Sequence, residues 1–159
     1  MTKEDFMKKI KGAAYLFLVL AAWLVVPSSG QAVFGLFGQN QVVKAVDGEV
    51  RIPLSEVEDG KARHYVYKTD SKDISFFLVK AQDGVVRAAF DACDVCFHAK
   101  KGYKQDGQFM ICNNCGMRFH VSKINQVEGG CNPAPLNRTV SEGNLVIKVA
   151  DLLPGARFF

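Results

Sequence analysis

The chain has 159 residues, enough for one domain of ordinary size plus a short appendage. Its formal charge is +4, but residues 1–32 hold four lysines against two acidic residues, so residues 33–159 carry 16 basic and 14 acidic side chains. Because this remainder is almost neutral and has no basic run with interleaved aromatic residues, the composition argues against nucleic-acid binding.

The first segment of the chain has the order of a secretory signal. Residues 13–26 are 14 apolar residues without a charge, preceded by lysines and followed by the small residues of PSSGQA. A spanning helix needs about 20 apolar residues. The sequence therefore allows two outcomes: a signal peptide over residues 1–32, cleaved after Ala32, or one N-terminal hydrophobic helix that anchors the chain in the membrane. Both place the following domain outside the cytoplasm, because the lysines stay inside.

A Gly- and Gln-rich tether is predicted over residues 33–40, and residues 41–159 then have β character. Alternating apolar, aromatic and β-branched residues predict strands at 49–54, 64–69, 74–81, 85–90, 108–111 and 144–149. The strand at 74–81 is apolar on both faces, so we expect it in the centre of a sheet. Asp83-Gly84 predicts a tight turn to the next strand, with positive φ angles at both residues.

No segment after residue 40 has sustained helical periodicity, although SEVEDG (55–60) can form one turn. The predicted fold class is therefore mainly β. We expect a small extracytoplasmic β domain over residues 41–159, with a cysteine-knuckle metal module inserted at 91–135, before the final strand.

Five cysteines lie close together in the sequence: Cys93, Cys96, Cys112, Cys115 and Cys131. The first four have the spacing C-x2-C-x15-C-x2-C, which is typical of a four-thiolate metal site. Two residues between cysteines allow both sulfurs to reach one ion, and a hairpin with its tip at Asp106-Gly107 brings the two knuckles face to face. Gly116 suits a chain that turns sharply after the second knuckle, whereas Phe97 takes the equivalent place in the first.

Thiolates alone do not identify the metal. A tetrahedral sulfur site suits zinc, a single iron, an iron–sulfur cluster or copper(I). Met110 and Met117 lie beside the second knuckle, where thioether ligands would favour copper(I) if they are not simply packing residues. His98 and His120 lie within five residues of a knuckle cysteine. Each is an alternative ligand, a residue that orients ligands, or a solvent-facing side chain.

Other cysteine chemistry has to be weighed against metal binding. In an exported domain, Cys-x-x-Cys pairs can exchange disulfides with partners. However, neither pair begins a helix, as a thioredoxin-like site requires, and five cysteines cannot all pair within one chain. Cys131, in the turn GGCNP, is an extra ligand, a redox partner or an unpaired thiol. Lys100, Lys101, Lys104 and Arg118 either lower the pKa values of the thiols or form a solvated face. We assign no role to His64, and expect Asp91 and Asp94 to form turns.

The sequence has no motif for hydrolysis or group transfer: it lacks triad spacing, a phosphate-binding glycine loop and His-Glu-x-x-His. We therefore expect no enzymatic activity and no catalytic residues.

The run CDVCFHAKKGYKQDGQFMICNNCGMRFHVSKINQVEGGCNPAPL resembles the signature of the FtrD-like membrane iron–sulfur-containing proteins. That signature combines two Cys-x-x-Cys pairs, a Gly-Tyr and Gly-Gly-Cys-Asn-Pro. The resemblance implies that all five cysteines are metal-site residues and that the cofactor is iron or an iron–sulfur cluster. It also implies loops shaped by Gly102-Tyr103, Gly129-Gly130 and Asn132-Pro133, and a link to bacterial ferrous-iron uptake.

The expected function is thus a membrane-associated, extracytoplasmic metal-binding protein that serves a membrane transporter or redox partner in electron transfer or metal handling. Two alternatives stay open. One is a structural zinc-ribbon-like module that binds a partner. The other is a thiol–disulfide exchanger or copper(I) chaperone.

Overall fold

The computed structural model describes residues 40–159, so the predicted signal or anchor segment and nearly all of the tether lie outside the described residues. The strands are β1 (Gln41–Val43), β2 (Glu49–Pro53), β3 (Arg63–Lys68), β4 (Asp73–Lys80), β5 (Val86–Phe90), β6 (Tyr103–Asp106), β7 (Phe109–Cys112), β8 (Arg118–His120), β9 (Thr139–Ser141) and β10 (Asn144–Lys148). The helical segments are the α-helix α1 (Val149–Leu152) and the 3-10 helices Leu54–Val57, Phe97–Ala99, Val121–Lys123 and Leu153–Phe158. The prediction of a mainly β fold is confirmed.

The strands form three sheets. The central one has the order β1-β3-β4-β5, in which β1 is parallel to β3 and the other pairs are antiparallel. The second sheet has the order β2-β10-β9, and the third has the order β6-β7-β8. Both are antiparallel, and the third contains the chain between the two Cys-x-x-Cys pairs.

Strand β4 has a buried side chain on each of its two faces. Ile74, Phe76 and Leu78 belong to one hydrophobic cluster, which also contains Val50 and Ile52 of β2 and Leu145 and Ile147 of β10. Phe77 and Val79 point to the other face and belong to a second cluster, together with buried residues of the cysteine region. Since neighbouring side chains of a strand alternate between faces, β4 joins both cores. The prediction that this strand is central is confirmed.

The β4–β5 hairpin is present, but its turn differs from the prediction in one respect. Gly84 has a φ of +79°, whereas Asp83 is not among the residues with positive φ. Asp83 instead uses its carboxylate, which accepts a hydrogen bond from the backbone N–H of Val85 at 3.0 Å. A four-residue turn with an aspartate side-chain bond needs only one left-handed residue, so the prediction for Asp83 was wrong.

The third sheet confirms the hairpin with its tip at Asp106-Gly107, where β6 meets β7 and Gly107 has a φ of +56°. Strands β1, β8 and β9 were not predicted, and each has three residues, too few for an alternation to show. The helical C-terminal segment was also missed. It buries Leu152 and Phe158 in the first core cluster. In the part of the chain that the structure describes, no helix has the length and apolar character needed to cross a membrane.

Candidate metal centre

The five cysteines come from three loops that meet at one end of the third sheet. Cys93 and Cys96 follow β5, and Cys96 caps the 3-10 helix Phe97–Ala99. Cys112 ends β7, and Cys115 lies in the turn that leads to β8. Cys131 lies in the loop after Gly129 and Gly130, two residues with positive φ.

All five thiols are free, and their sulfur atoms fall into two groups of three. Cys93, Cys96 and Cys131 form the first group, and Cys96, Cys112 and Cys115 form the second. Within each group the sulfurs lie within 4.8 Å of one another, and Cys96 belongs to both groups. Between Cys96 and Cys131 the Sγ–Sγ distance is 3.8 Å. The structure therefore brings together every cysteine that the sequence singled out, although their role as metal ligands stays a prediction.

Each knuckle is shaped by backbone hydrogen bonds. In the first, the N–H of Cys96 donates to the Sγ of Cys93 at 3.2 Å. In the second, the N–H of Cys112 donates to the carbonyl of Met117 at 3.0 Å, and the N–H of Gly116 donates back to Cys112 at 2.9 Å. Gly116 has a φ of +76°, as its place after the pair predicted. In the first knuckle the left-handed turn comes later, at Lys100, whose φ is +51°.

The thiols differ in exposure and therefore in acidity. Cys93 and Cys112 are buried, Cys96 and Cys131 are half-buried, and Cys115 is exposed. Loss of solvation on burial raises the pKa of Cys112 to about 11 and that of Cys131 to about 12, and neighbouring thiols add to both shifts. The backbone N–H of Met117 lowers the pKa of Cys115, because it stabilises the thiolate. In the metal-free protein, the exposed Cys115 is therefore the more acidic of these three thiols.

A second set of polar residues, which sequence reasoning missed, ties the loops together. Asp91 accepts a hydrogen bond from the backbone N–H of Tyr103 at 2.7 Å, and its other oxygen lies 3.3 Å from Nδ1 of His64. The hydroxyl of Tyr103 donates to the carbonyl of Cys131 at 2.7 Å. Burial, together with the nearby Cys93, raises the pKa of Tyr103 far above its ordinary value, so this hydroxyl stays a donor. Of these residues, only Tyr103 was indicated by the sequence, through the Gly102-Tyr103 of the family resemblance.

A cleft of about 790 Å³ lies against the thiols. Cys93, Cys96 and Cys112 line it, as do Lys100 and Lys101 and the residues of the Asp91 network. The two other basic residues that the sequence placed near the site do not line this cleft. Arg118 pairs with Asp106 at 3.0 Å, and Lys104 is exposed on β6. Of the four basic residues, only Lys100 and Lys101 line the cleft, and both are exposed.

The predicted alternative ligands lie in different surroundings. Met110 is fully buried in the second core cluster, which also contains Cys93 and Cys112, whereas Met117 is 52% exposed. The ring of His98 lies 3.8 Å from that of Phe97. The Nδ1 of His120 is bonded to Ser122 within its own loop. Among the described residues, no histidine joins either thiol group. Metal binding by these four residues stays a prediction.

The donor set fits a metal that prefers sulfur. With metal–sulfur bonds of about 2.3 Å, a tetrahedral ion holds its sulfurs about 3.8 Å apart, and the Cys96–Cys131 distance has this value. Free thiols at such spacing suit zinc, iron or copper(I), since carboxylate and water ligands are what magnesium and calcium prefer. The residues present therefore fit an iron or iron–sulfur cofactor, and they fit zinc as well.

A family model described as "Membrane iron-sulfur containing protein FtrD-like" matches residues 57–159. No curated protein matches the chain. The solved structures with some similarity include a crystal structure of the quaternary ammonium Rieske monooxygenase CntA with an inhibitor, at 15% sequence identity and a TM-score of 0.43. That match covers 73% of this chain and 33% of the other. The chain thus spans a third of that enzyme, and so weak a likeness carries no argument about function.

Proposed function

Since the chain belongs to the family of FtrD-like membrane iron–sulfur containing proteins, we propose that it holds iron or an iron–sulfur cluster on its cysteines and transfers electrons for a membrane partner. The partner would be an iron-uptake or redox system, and the domain would act outside the cytoplasm while associated with the membrane. The chain would be an accessory without a catalytic activity of its own. The family match confirms the resemblance that the cysteine motifs indicated.

The observation that carries this proposal is the exposure gradient across the thiol groups. In a structural zinc site four protein ligands fill every coordination position, so the ion needs no access to a partner. Here Cys115 is exposed, Cys96 and Cys131 are half-buried, and Cys93, Cys96 and Cys112 line a cleft. A centre at the surface can exchange electrons with a docked protein.

Electron transfer also favours surroundings that change little when the charge of the centre changes. The Cys93 side of the site is fixed by the Asp91 and Tyr103 hydrogen bonds, and Cys93 and Cys112 are part of a hydrophobic cluster. Lys100 and Lys101 line the cleft, where their positive charge would partly offset the negative charge of an iron–thiolate centre. The same lysines would attract an acidic surface on the partner.

The test is metal analysis and visible spectroscopy of the full chain, purified anaerobically in detergent. We expect iron, charge-transfer absorption and a reversible redox couple, all lost in Cys112→Ser. The control is Met117→Leu, which changes an exposed neighbour of the second knuckle and should leave the spectrum unaltered. Stoichiometric zinc without a redox signal would refute the proposal in favour of a structural zinc module. Copper(I) binding that weakens in Met117→Leu would favour a chaperone.

Location is tested separately. Fusions of a reporter that is active only outside the cytoplasm, joined after Phe159, should be active in cells. The same fusion on a chain whose lysines before residue 13 are replaced with glutamate should lose activity, because the positive charges orient the segment. An inactive reporter on the unaltered chain would refute the extracytoplasmic location and leave metal binding untouched.

A further inference from the structure

We propose that Tyr103 raises the redox potential of the proposed centre, because its hydroxyl donates a hydrogen bond to the Cys93 sulfur that is strongest when the centre is reduced. The inference rests on the proposed function, since it takes Cys93 as a ligand of that centre. It adds a positioning residue that tunes electron transfer without being a ligand itself.

The hydroxyl of Tyr103 lies among the cysteines. Tyr103 begins β6 and is paired with Cys112 across the third sheet. Its hydroxyl donates to the carbonyl of Cys131 at 2.7 Å. The thiol of Cys93 is also within hydrogen-bonding reach of this hydroxyl, and the thiols of Cys112 and Cys131 are close enough to act on it electrostatically. One hydroxyl group therefore adjoins three of the five cysteines.

The ring of Tyr103 is held from several sides. Its backbone N–H donates to Asp91 at 2.7 Å. Its ring centroid lies 6.1 Å from that of Phe77 and 6.2 Å from that of Phe119. Only 4% of the residue is exposed, and a hydrogen bond in such surroundings is stronger than one in water. Because the ring is fixed, the hydroxyl can change its acceptor only by rotation about its C–O bond.

Two acceptors compete for the single hydrogen of this hydroxyl. In the structure it is directed to the carbonyl of Cys131, which is a neutral acceptor. A thiolate sulfur of Cys93 that binds a metal is a charged acceptor, and charge-assisted hydrogen bonds are roughly twice as strong as neutral ones. An added electron increases the negative charge on the ligand sulfurs. The bond to Cys93 therefore stabilises the reduced state most, and hydrogen bonds to ligand sulfurs are among the features that set the potential of such centres.

The other donors and charges at the site differ from Tyr103. The backbone N–H of Cys96, which donates to the Cys93 sulfur at 3.2 Å, is part of the first knuckle and cannot be removed without altering it. Lys100 and Lys101 are exposed, so solvent and salt screen their charges. Tyr103 is a buried side-chain donor, and its replacement by phenylalanine removes one oxygen atom and leaves the ring in place.

The test is redox potentiometry of the full chain, purified anaerobically in detergent with its iron centre and followed by visible absorption. Tyr103→Phe should weaken the preference for the reduced state on the order of tenfold, which lowers the midpoint potential by about 59 mV for a one-electron couple. The matched control is Tyr65→Phe. Tyr65 is also buried, but its hydroxyl donates to Glu56 at 2.8 Å, and it belongs to the first core cluster. This variant should lose stability and keep its potential.

Two further measurements distinguish a bond to sulfur from a merely structural role. The iron–sulfur stretching bands in the resonance Raman spectrum should shift in Tyr103→Phe and not in Tyr65→Phe. In addition, 3-fluorotyrosine in place of Tyr103 should raise the midpoint potential, because fluorine makes the hydroxyl a stronger donor. The fluorinated residue retains the bond to Cys131, so this measurement remains decisive even if Tyr103→Phe does not fold.

An unchanged potential in both variants of Tyr103 would overturn the inference. Equal falls in Tyr103→Phe and Tyr65→Phe would overturn it as well, since they would reflect a general loss of stability. Both results leave the proposed function intact, because the iron centre is then present and redox-active. A chain that binds no iron would refute the proposed function and this inference together.

Discussion

Replacing Gly102 with alanine tests the link between the Asp91 network and the two knuckles. Gly102 has a φ of +61°, and an added Cβ would lie 2.5 Å from Oδ2 of Asp91 and 2.7 Å from its Oδ1. That carboxylate is held by the backbone N–H of Tyr103 at 2.7 Å and lies 3.3 Å from His64. An alanine at position 102 would therefore force the Asp91 carboxylate out of its present position.

The expected cost has two parts. A left-handed backbone costs an L-residue about 1–2 kcal/mol. Displacing Asp91 breaks its charge-assisted hydrogen bond with Tyr103, which costs about 1.5–3 kcal/mol. The free energy of unfolding should therefore fall by about 2.5–5 kcal/mol. Metal affinity should fall as well, because the carbonyl of Gly102 also accepts the backbone N–H of Asn113, in the second knuckle, at 3.0 Å.

Urea denaturation of the metal-free chain, followed by far-ultraviolet circular dichroism, measures the loss. Gly107→Ala is the matched control, since Gly107 has a φ of +56° and nothing within 4 Å of an added Cβ. It should lose only the conformational part, about 1–2 kcal/mol. In an Asp91→Ala background, Gly102→Ala should cost no more than that control. Equal losses for the two glycines in the unmutated background would refute the reasoning.

Three further outcomes follow from burial and titration. Phe77→Ala removes a fully buried ring between two sheets and should lower the free energy of unfolding, measured in urea, by about 3–5 kcal/mol. The control is Val140→Ala, at a site that is 62% exposed. If Phe77→Ala costs no more than this control, β4 does not join the two core clusters as described. Tyr103→Phe removes the hydroxyl that donates to Cys131 at 2.7 Å and should cost about 1 kcal/mol in the same assay; an unchanged denaturation midpoint would show that this bond contributes nothing. Burial raises the pKa of Cys112 from 9.0 to about 11. The protein is therefore more stable when this thiol is neutral than when it is a thiolate. The metal-free protein should hold this stability below pH 9 and lose it as the pH rises through 11; Cys112→Ser should flatten this alkaline loss, and a profile identical to the unmutated one would contradict the assignment.

Strand β4 shows that the periodicity of a sequence predicts which faces of a strand are buried, but not which segments pack against them. A run apolar on both faces indicates a strand covered on both sides, and β4 is such a strand. Which chain segments cover it is decided by pairings far away in sequence. One cover contains β10, which lies after the cysteine region, and the other contains β7 within it. No local pattern in residues 73–80 carries that information.

The contacts of the cysteine site also fall into two kinds, those that local spacing predicted and those that depend on the topology. Cys-x-x-Cys spacing predicted that the paired cysteines meet, because a short loop and a hairpin set their distance. Cys131 lies 35 residues after Cys96, yet their sulfurs are 3.8 Å apart. His64 and Asp91 meet because β3 and the end of β5 both adjoin β4, so a strand histidine without a visible partner gained one from topology.

The helical C-terminus was missed because a single α-helical turn followed by a 3-10 helix gives no 3.6-residue period to detect. A packing signal exists only in the structure. An added Cβ at Gly155 would clash with the ring of Phe90, so this glycine allows the C-terminal segment to approach β5 closely.

The way in which the thiols are supported argues for a centre carried by the fold rather than a fold held by a metal. In zinc fingers the metal supplies the folding free energy, because little else holds the loops. Here the loops are already tied by the bonds from Tyr103 to Asp91 and Cys131, and Cys93 and Cys112 are packed into a hydrophobic cluster. A domain with such support can hold its ligands in place while the charge or the occupancy of the site changes. A structural zinc site has no need of that property, whereas an electron carrier depends on it.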